Sequence, residues 1–182
     1  MVVNRNKMLI IDGYNVLRSG SRYRAMRDDP DYTDDVLNRP REALLHDVIG
    51  FAGRDFSEAV IVFDGASNVF SDGSSETLGG VRIVFSPAGS SADKVIEKLA
   101  HDARERGVET LVVTSDATIQ DTVFGGGVDR MSAEGFSHEA ELLDEETKLD
   151  EMPVAARKNT IAERIDSETL ARLKRLRDNG VS

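Results

Sequence analysis

The chain has no cysteine. Disulfides, thiolate zinc sites and cysteine nucleophiles therefore lie outside its chemistry. No stretch approaches the ~20 apolar residues of a membrane span. The opening MVVNRNKMLII, basic at Arg5 and Lys7, has neither the long apolar region nor the small-residue cleavage site of a secretory signal. The expectation is a cytoplasmic protein without a membrane attachment. Several chemical signatures are missing too. His46, His101 and His138 do not form an HExxH spacing, no serine sits in a GxSxG context, and no GxGxxG follows the first strand-like run. Gly125–Gly127 lack the lysine and hydroxyl of a phosphate loop and read as a turn. Acyl transfer and dinucleotide binding are left without support.

Positive charge is scarce overall: 23 Lys and Arg face 33 Asp and Glu, a formal net charge of -10. That argues against a polyanionic partner until the distribution is read. Residues 1–27 hold six basic side chains (Arg5, Lys7, Arg18, Arg22, Arg24, Arg27) against Asp12 alone, and residues 157–177 hold seven against three. Acidity concentrates in 128–151, where nine acids face two bases. A chain sorted in this way can present a basic face to phosphate while remaining acidic as a whole.

What is present is a set of short β-branched runs: MLII at 8–11, AVIVF at 59–63, VRIVF at 81–85 and TLVVT at 110–114. Their near-continuous apolar character predicts strands buried on both faces. Helix signals alternate with them. Asn38 and Pro40 open one helix, and Ser90 or Ser91 caps another that ends before Gly107. A short helix is expected at about 117–124, a fifth strand near 128–131, a helix begun by Ser132, and an acidic helix over 137–151. The fold class is α/β with a mainly parallel sheet. The link from Phe63 to Val81 is short and rich in Ser and Gly, so the direction of the 81–85 strand stays open.

Asp12 follows MLII, Asp64 follows VIVF and Asp116 follows LVVTS, while Asp93 falls in the first turn of the helix after Phe85. In an open α/β sheet the functional crevice lies beyond the carboxyl ends of the strands, so these acids are delivered to one rim. Glu97 is one turn deeper on the face of Asp93. Clustered carboxylates repel one another, and Mg2+ or Mn2+ is the cation class that balances them. Asn15 is a candidate helper that orients Asp12 or a metal-bound water, Ser115 is a candidate donor to a neighbouring carboxylate or phosphate, and Arg18, Arg22, Arg24 and Arg27 are candidate phosphate contacts. Each acid also has a bland reading: Asp93 as a capping-box acid under Ser90, Asp116 as a helix cap, Asp64 as a turn former with Gly65. Asp12 is the hardest to reduce to a turn, because Gly13 and Asn15 already supply that capacity.

IIDGYNVL (10–17), VFDG (62–65), SSADKVIEKLA (90–100), VVTSD (112–116) and RMSAEG (130–135) together resemble the YacP-like branch of the NYN domains, in the PIN-like ribonuclease group. The resemblance implies a compact three-layer α/β/α fold with a mainly parallel sheet of four to five or more strands, covering a nuclease domain at 1–152. A basic helical extension at 153–182 would pack on that domain. It further implies a divalent-metal-dependent endoribonuclease, with Asp12, Asp64, Asp93 and Asp116 carrying the acidic site, Asn15 assisting and Glu97 as either a further ligand or a group supporting the ligands from behind. Some members are similar to ribosome-associated messenger RNA endonucleases, which makes messenger RNA and the ribosome the implied partners. The loop between Asp64 and Val81, whose last fourteen residues from Ser67 read SNVFSDGSSETLGG, is the place expected to carry specificity. A noncatalytic RNA- or ribosome-binding module, a Mg2+-dependent phosphatase lacking the usual DxD, and a purely structural module compete for the same residues.

Overall fold

The computed structural model of the chain describes residues 6–28, 38–65, 75–123 and 125–151. In chain order the elements are β1 (Lys7–Asp12), α1 (Gly13–Ser19), α2 (Ser21–Arg27), α3 (Asn38–Asp55), β2 (Glu58–Phe63) and β3 (Ser75–Leu78). They continue with β4 (Val81–Phe85), α4 (Ala92–Glu105), β5 (Glu109–Val113), α5 (Ala117–Thr122), β6 (Val128–Met131) and α6 (Ala133–Glu151). Two compact units divide the chain, 1–143 and 144–182. Of the second, the described part is the end of α6, where Lys148 pairs with Asp144 at 2.9 Å. The expected basic extension at 153–182 lies outside the described residues, as do residues 66–74 of the expected specificity loop. Among the described residues no helix is long and apolar enough to cross a membrane.

The six strands form one sheet in the order β3-β4-β2-β1-β5-β6, parallel throughout except for β3. Side chains alternate between its faces, which explains why the strand sequences are apolar at nearly every position. Leu9, Ile11, Ile61 and Phe63 face one core with Val16 and Leu17 of α1, Leu44 and Val48 of α3, and Phe136 of α6. Met8, Ile10, Val60 and Val62 face the other with Ile96 and Ala100 of α4 and Ile119 of α5. This is the three-layer α/β/α arrangement with a mainly parallel sheet.

β4 settles the direction left open by the sequence: it runs parallel to β2, with Phe63 opposite Phe85. The short link accommodates that because β3 comes first and pairs antiparallel with β4. Gly79 and Gly80, at φ 58° and 82°, make the two-residue hairpin turn, which requires positive φ at both positions. SETL has no apolar alternation because all four residues of β3 are exposed on an edge strand.

α1 and α2 are short, and α2 begins after Gly20, which has no side chain to cap it. The cap comes from 113 residues away. Glu134 of α6 accepts from the Ser21 N–H at 2.9 Å and the Ser21 hydroxyl at 2.8 Å. Those two bonds hold the Glu134 carboxyl below its usual range. α4 is capped by Ser91, which accepts from the Lys94 N–H. Asp93 is therefore the second helical residue and not the acid of a Ser90 capping box.

Candidate active site

Asp12, Asp64, Asp93 and Asp116 line a single cavity of about 450 Å³ at the carboxyl edge of the sheet. Strand register places the first two. Ile11 pairs with Val113 and Phe63 with Phe85, so the next residues, Asp12 with Thr114 and Asp64 with Ser86, stand side by side on neighbouring strands. Gly13 must follow Asp12 because a Cβ there would lie 2.4 Å from the Phe63 ring. α1 thereby starts directly under the carboxylate.

The Thr114 hydroxyl accepts the Asp116 N–H at 3.1 Å and lies 2.9 Å from Asp12 Oδ2. With its lone pair engaged by an N–H, the hydroxyl donates its own proton to Asp12. Ser86 repeats the device, accepting the Gly65 N–H at 2.8 Å and donating to Asp64 Oδ1 at 3.2 Å. Thr114 and Ser86 are both fully buried. Neither stands out in the sequence, since a hydroxyl after a strand is ordinary turn chemistry. The signal that finds them is the strand order, through which each hydroxyl meets the acid of the adjacent strand.

Asp12 is 7% exposed. Burial pushes its carboxyl up to about 6; the Thr114 hydroxyl and the Asn15 backbone amide oppose that, and the charges of Asp93 and Asp116 add to it. Asp93 is also raised, by burial first and then by Asp116, Glu97 and Asp64. Asp116 caps α5, accepting from the Thr118 N–H at 2.8 Å. The cap and the place in the cavity are thus compatible. Glu97 adds charge to Asp93 without lining the cavity.

The helpers divide. Asn15 lines the cavity, and its Oδ1 accepts from the Ser115 N–H at 2.8 Å, tying α1 to the loop after β5. The Ser115 hydroxyl accepts from the Ala133 N–H at 3.0 Å at the start of α6, so the hydroxyl beside the acids belongs to Thr114, not to Ser115. Of the four arginines expected at the entrance, Arg18 lines the cavity. Arg22 is bound through Nε and Nη2 to Asp47 at 2.8 and 3.1 Å, and Arg27 pairs with Asp28 at 3.1 Å. Arg24 is exposed and does not line the cavity. Arg41 of α3 does line it, and nothing in PREALLHD distinguishes this arginine from a solvated helix residue.

Among the described residues no three acidic or histidine side chains stand close enough to cage a metal ion. The donor set nonetheless fits a hard divalent cation: it is all carboxylate, Asp12 and Asp93 are raised by burial and by the charges of neighbouring carboxylates, and the cavity has room for water and phosphate. Mg2+ in particular is held by one or two carboxylates, several waters and substrate phosphates rather than by an all-protein cage.

Removing the Thr114 hydroxyl tests the support of Asp12. Thr114→Val is expected to lower any activity of the site by ~10–100-fold, as loss of a group orienting a ligand typically does. Thr114→Ser is expected to restore it. Equal activity of the valine variant and wild type, with both folded, contradicts this role.

The family model of the YacP-like NYN domain matches residues 9–178. The chain is 26% identical over 137 residues to a Bacillus subtilis (strain 168) protein described as uncharacterized protein YacP, a span of 75% of this chain and 76% of that one. A crystal structure of Rae1 (YacP) from Bacillus subtilis superposes with a TM-score of 0.64 at 23% identity, covering 96% of this chain and 97% of that one. A single-substitution variant of Rae1 superposes with a TM-score of 0.60 at 25% identity, covering 90% of each chain. With the family model matched over most of the chain and the acidic motifs gathered at one sheet edge, the chain belongs to the YacP-like NYN domain family, homologous to the PIN-like ribonucleases.

Proposed function

We propose that this cavity is the active site of a divalent-metal-dependent endoribonuclease that hydrolyses internal phosphodiester bonds of RNA. The observation carrying the proposal is the convergence of Asp12, Asp64, Asp93 and Asp116 from four separate segments on one cavity. Asp12, Asp93 and Asp116, with Asp64, would hold Mg2+ or Mn2+. When bound, such a cation neutralises phosphoryl charge and lowers the pKa of water.

The chain's own groups supply position. Thr114 and Ser86 orient the carboxylates of Asp12 and Asp64, Asn15 holds the loop that carries Asp116, and Glu97 strengthens the negative field at Asp93. Arg18 faces a flanking phosphate. Hydrolysis of this type leaves 5′-phosphate and 3′-hydroxyl ends. The resemblance to ribosome-associated messenger RNA endonucleases makes translated messenger RNA the first substrate to try and the ribosome the partner.

The test is a cleavage time course on translated and naked messenger RNA with Mg2+ or Mn2+, with a chelated control and mapped ends. Chelation, Asp93→Asn and Asp116→Asn are each expected to remove cleavage at the mapped sites. Residual activity that is identical in all samples and independent of metal points to a contaminant. Salt-sensitive RNA binding with no turnover on either substrate replaces the nuclease with a noncatalytic RNA-binding module.

A further inference from the structure

Positive charge enters the acidic cavity from the opposite layer of the fold. Asp93 lies in α4 and Asp116 caps α5, the two helices on the sheet face of Met8, Ile10, Val60 and Val62. Arg18 and Arg41 belong to α1 and α3, on the face of Leu9, Ile11, Ile61 and Phe63. Asp12 and Asp64 sit between them at the strand ends. Charge is therefore sorted across the sheet edge, with carboxylates in the middle and on one flank and guanidiniums on the other.

Tyr14 organises the basic flank. Its Oη accepts from Arg41 Nη2 at 2.7 Å. The Arg41 guanidinium lies 5.5 Å from the Tyr14 ring centroid and 5.9 Å from that of Phe63, and the Arg18 guanidinium lies 5.8 Å from Tyr14. Tyr14 itself rests on Phe63, with centroids 5.0 Å apart. A ring serving two guanidiniums is a post that holds them, through cation–π attraction and one hydrogen bond, rather than an open platform for a base.

We propose that Tyr14, Arg18 and Arg41 form a clamp for the phosphate next to the scissile one in a single strand of RNA; this deepens the endoribonuclease reading and rests on it. The polarity of the cavity dictates the placement. A phosphate among the carboxylates needs a cation between them, whereas a phosphate on the other flank meets guanidiniums directly. Arginine is suited to that task because its planar fork engages two phosphate oxygens while its face lies on an aromatic ring.

The experiment measures binding of a short single-stranded RNA oligonucleotide against salt concentration in the Asp12→Asn background, where cleavage does not interfere. Arg41→Gln and Arg18→Gln are each expected to weaken binding by about tenfold and to reduce the salt slope by about one. Arg41→Lys should keep the slope while losing part of the affinity, since the charge remains and the fork does not. Tyr14→Phe should weaken binding less and leave the slope unchanged. In cleavage with Mg2+, Arg41→Gln is expected to raise KM by about tenfold with kcat within a few-fold.

Melting curves accompany each variant. Should Arg41→Gln fail to fold, Arg18→Gln, on an exposed side chain, carries the test. Unchanged slopes for both glutamine variants overturn the clamp even if metal-dependent cleavage is found. Slopes reduced as expected, with no cleavage of any RNA by wild type, keep Tyr14, Arg18 and Arg41 as an RNA phosphate contact and remove both its place beside a scissile phosphate and the nuclease reading. No salt-dependent binding by the unsubstituted chain removes both.

Discussion

Asp12→Asn is expected to abolish cleavage, by ~10³-fold or more, and at the same time to produce a more stable protein at neutral pH. The carboxyl of Asp12 is nearly enclosed, and burial together with the charges of Asp93 and Asp116 raises it from 3.8 to about 6. Between those two values the folded chain keeps a proton that the unfolded chain has released. Stability therefore falls as pH rises through this window, and above it the folded state carries the whole penalty. A shift of this size corresponds to about 1–3 kcal/mol. Asparagine cannot ionise, yet its Oδ1 still accepts from Thr114. In chelator at pH 7.5 the variant should melt above wild type by a few degrees, since 1 kcal/mol is worth about 2–4 °C in a chain of this length. The gap should close as pH falls toward 4. A wild type that melts higher than the variant at pH 7.5 without metal would show that the buried charge is already compensated within the protein.

Asp47→Ala is expected to have the largest effect on stability, costing about 3–5 kcal/mol, or roughly 10 °C in melting temperature. Asp47 is 4% exposed in its side chain and receives Arg22 in two bonds and the Tyr23 hydroxyl at 2.8 Å. Burial and the Asp47 charge push the Tyr23 phenol well above its ordinary value, so it remains a donor. Alanine would leave that donor buried and the Arg22 guanidinium without this counter-charge. The companion variant Arg22→Gln separates this role from the phosphate contact its sequence neighbourhood suggests. It should lower the melting temperature and leave the salt dependence of RNA binding unchanged. A reduced salt slope without loss of stability would return Arg22 to the substrate.

The difference between Arg22 and Arg41 marks where local sequence stops being informative. Arg22 lies ten residues after Asp12 in a basic segment, and Arg41 lies in an unremarkable helix start, yet Arg41 lines the cavity and Arg22 braces α2 against α3. The choice depends on which helix face meets which neighbour. The same holds for Glu134, whose motif RMSAEG reads as a helix start but whose carboxylate caps α2 across the fold. Edge strand β3 is illegible in the sequence for a different reason. It is exposed at every residue and gives no hydrophobic period to read.

The buried parallel strands, the serine cap of α4 and the delivery of Asp12, Asp64, Asp93 and Asp116 to one rim are legible in the chain's own residues, because such strands advertise themselves as apolar runs and the residues after them mark the carboxyl edge. What surrounds those acids follows from how the strands and helices assemble. The order β4-β2-β1-β5 sets Ser86 beside Asp64 and Thr114 beside Asp12, and the two helical layers bring carboxylates and guanidiniums to opposite flanks. Hydrogen bonds between neighbouring strands join residues 22 and 102 positions apart, and no local period encodes which strands become neighbours.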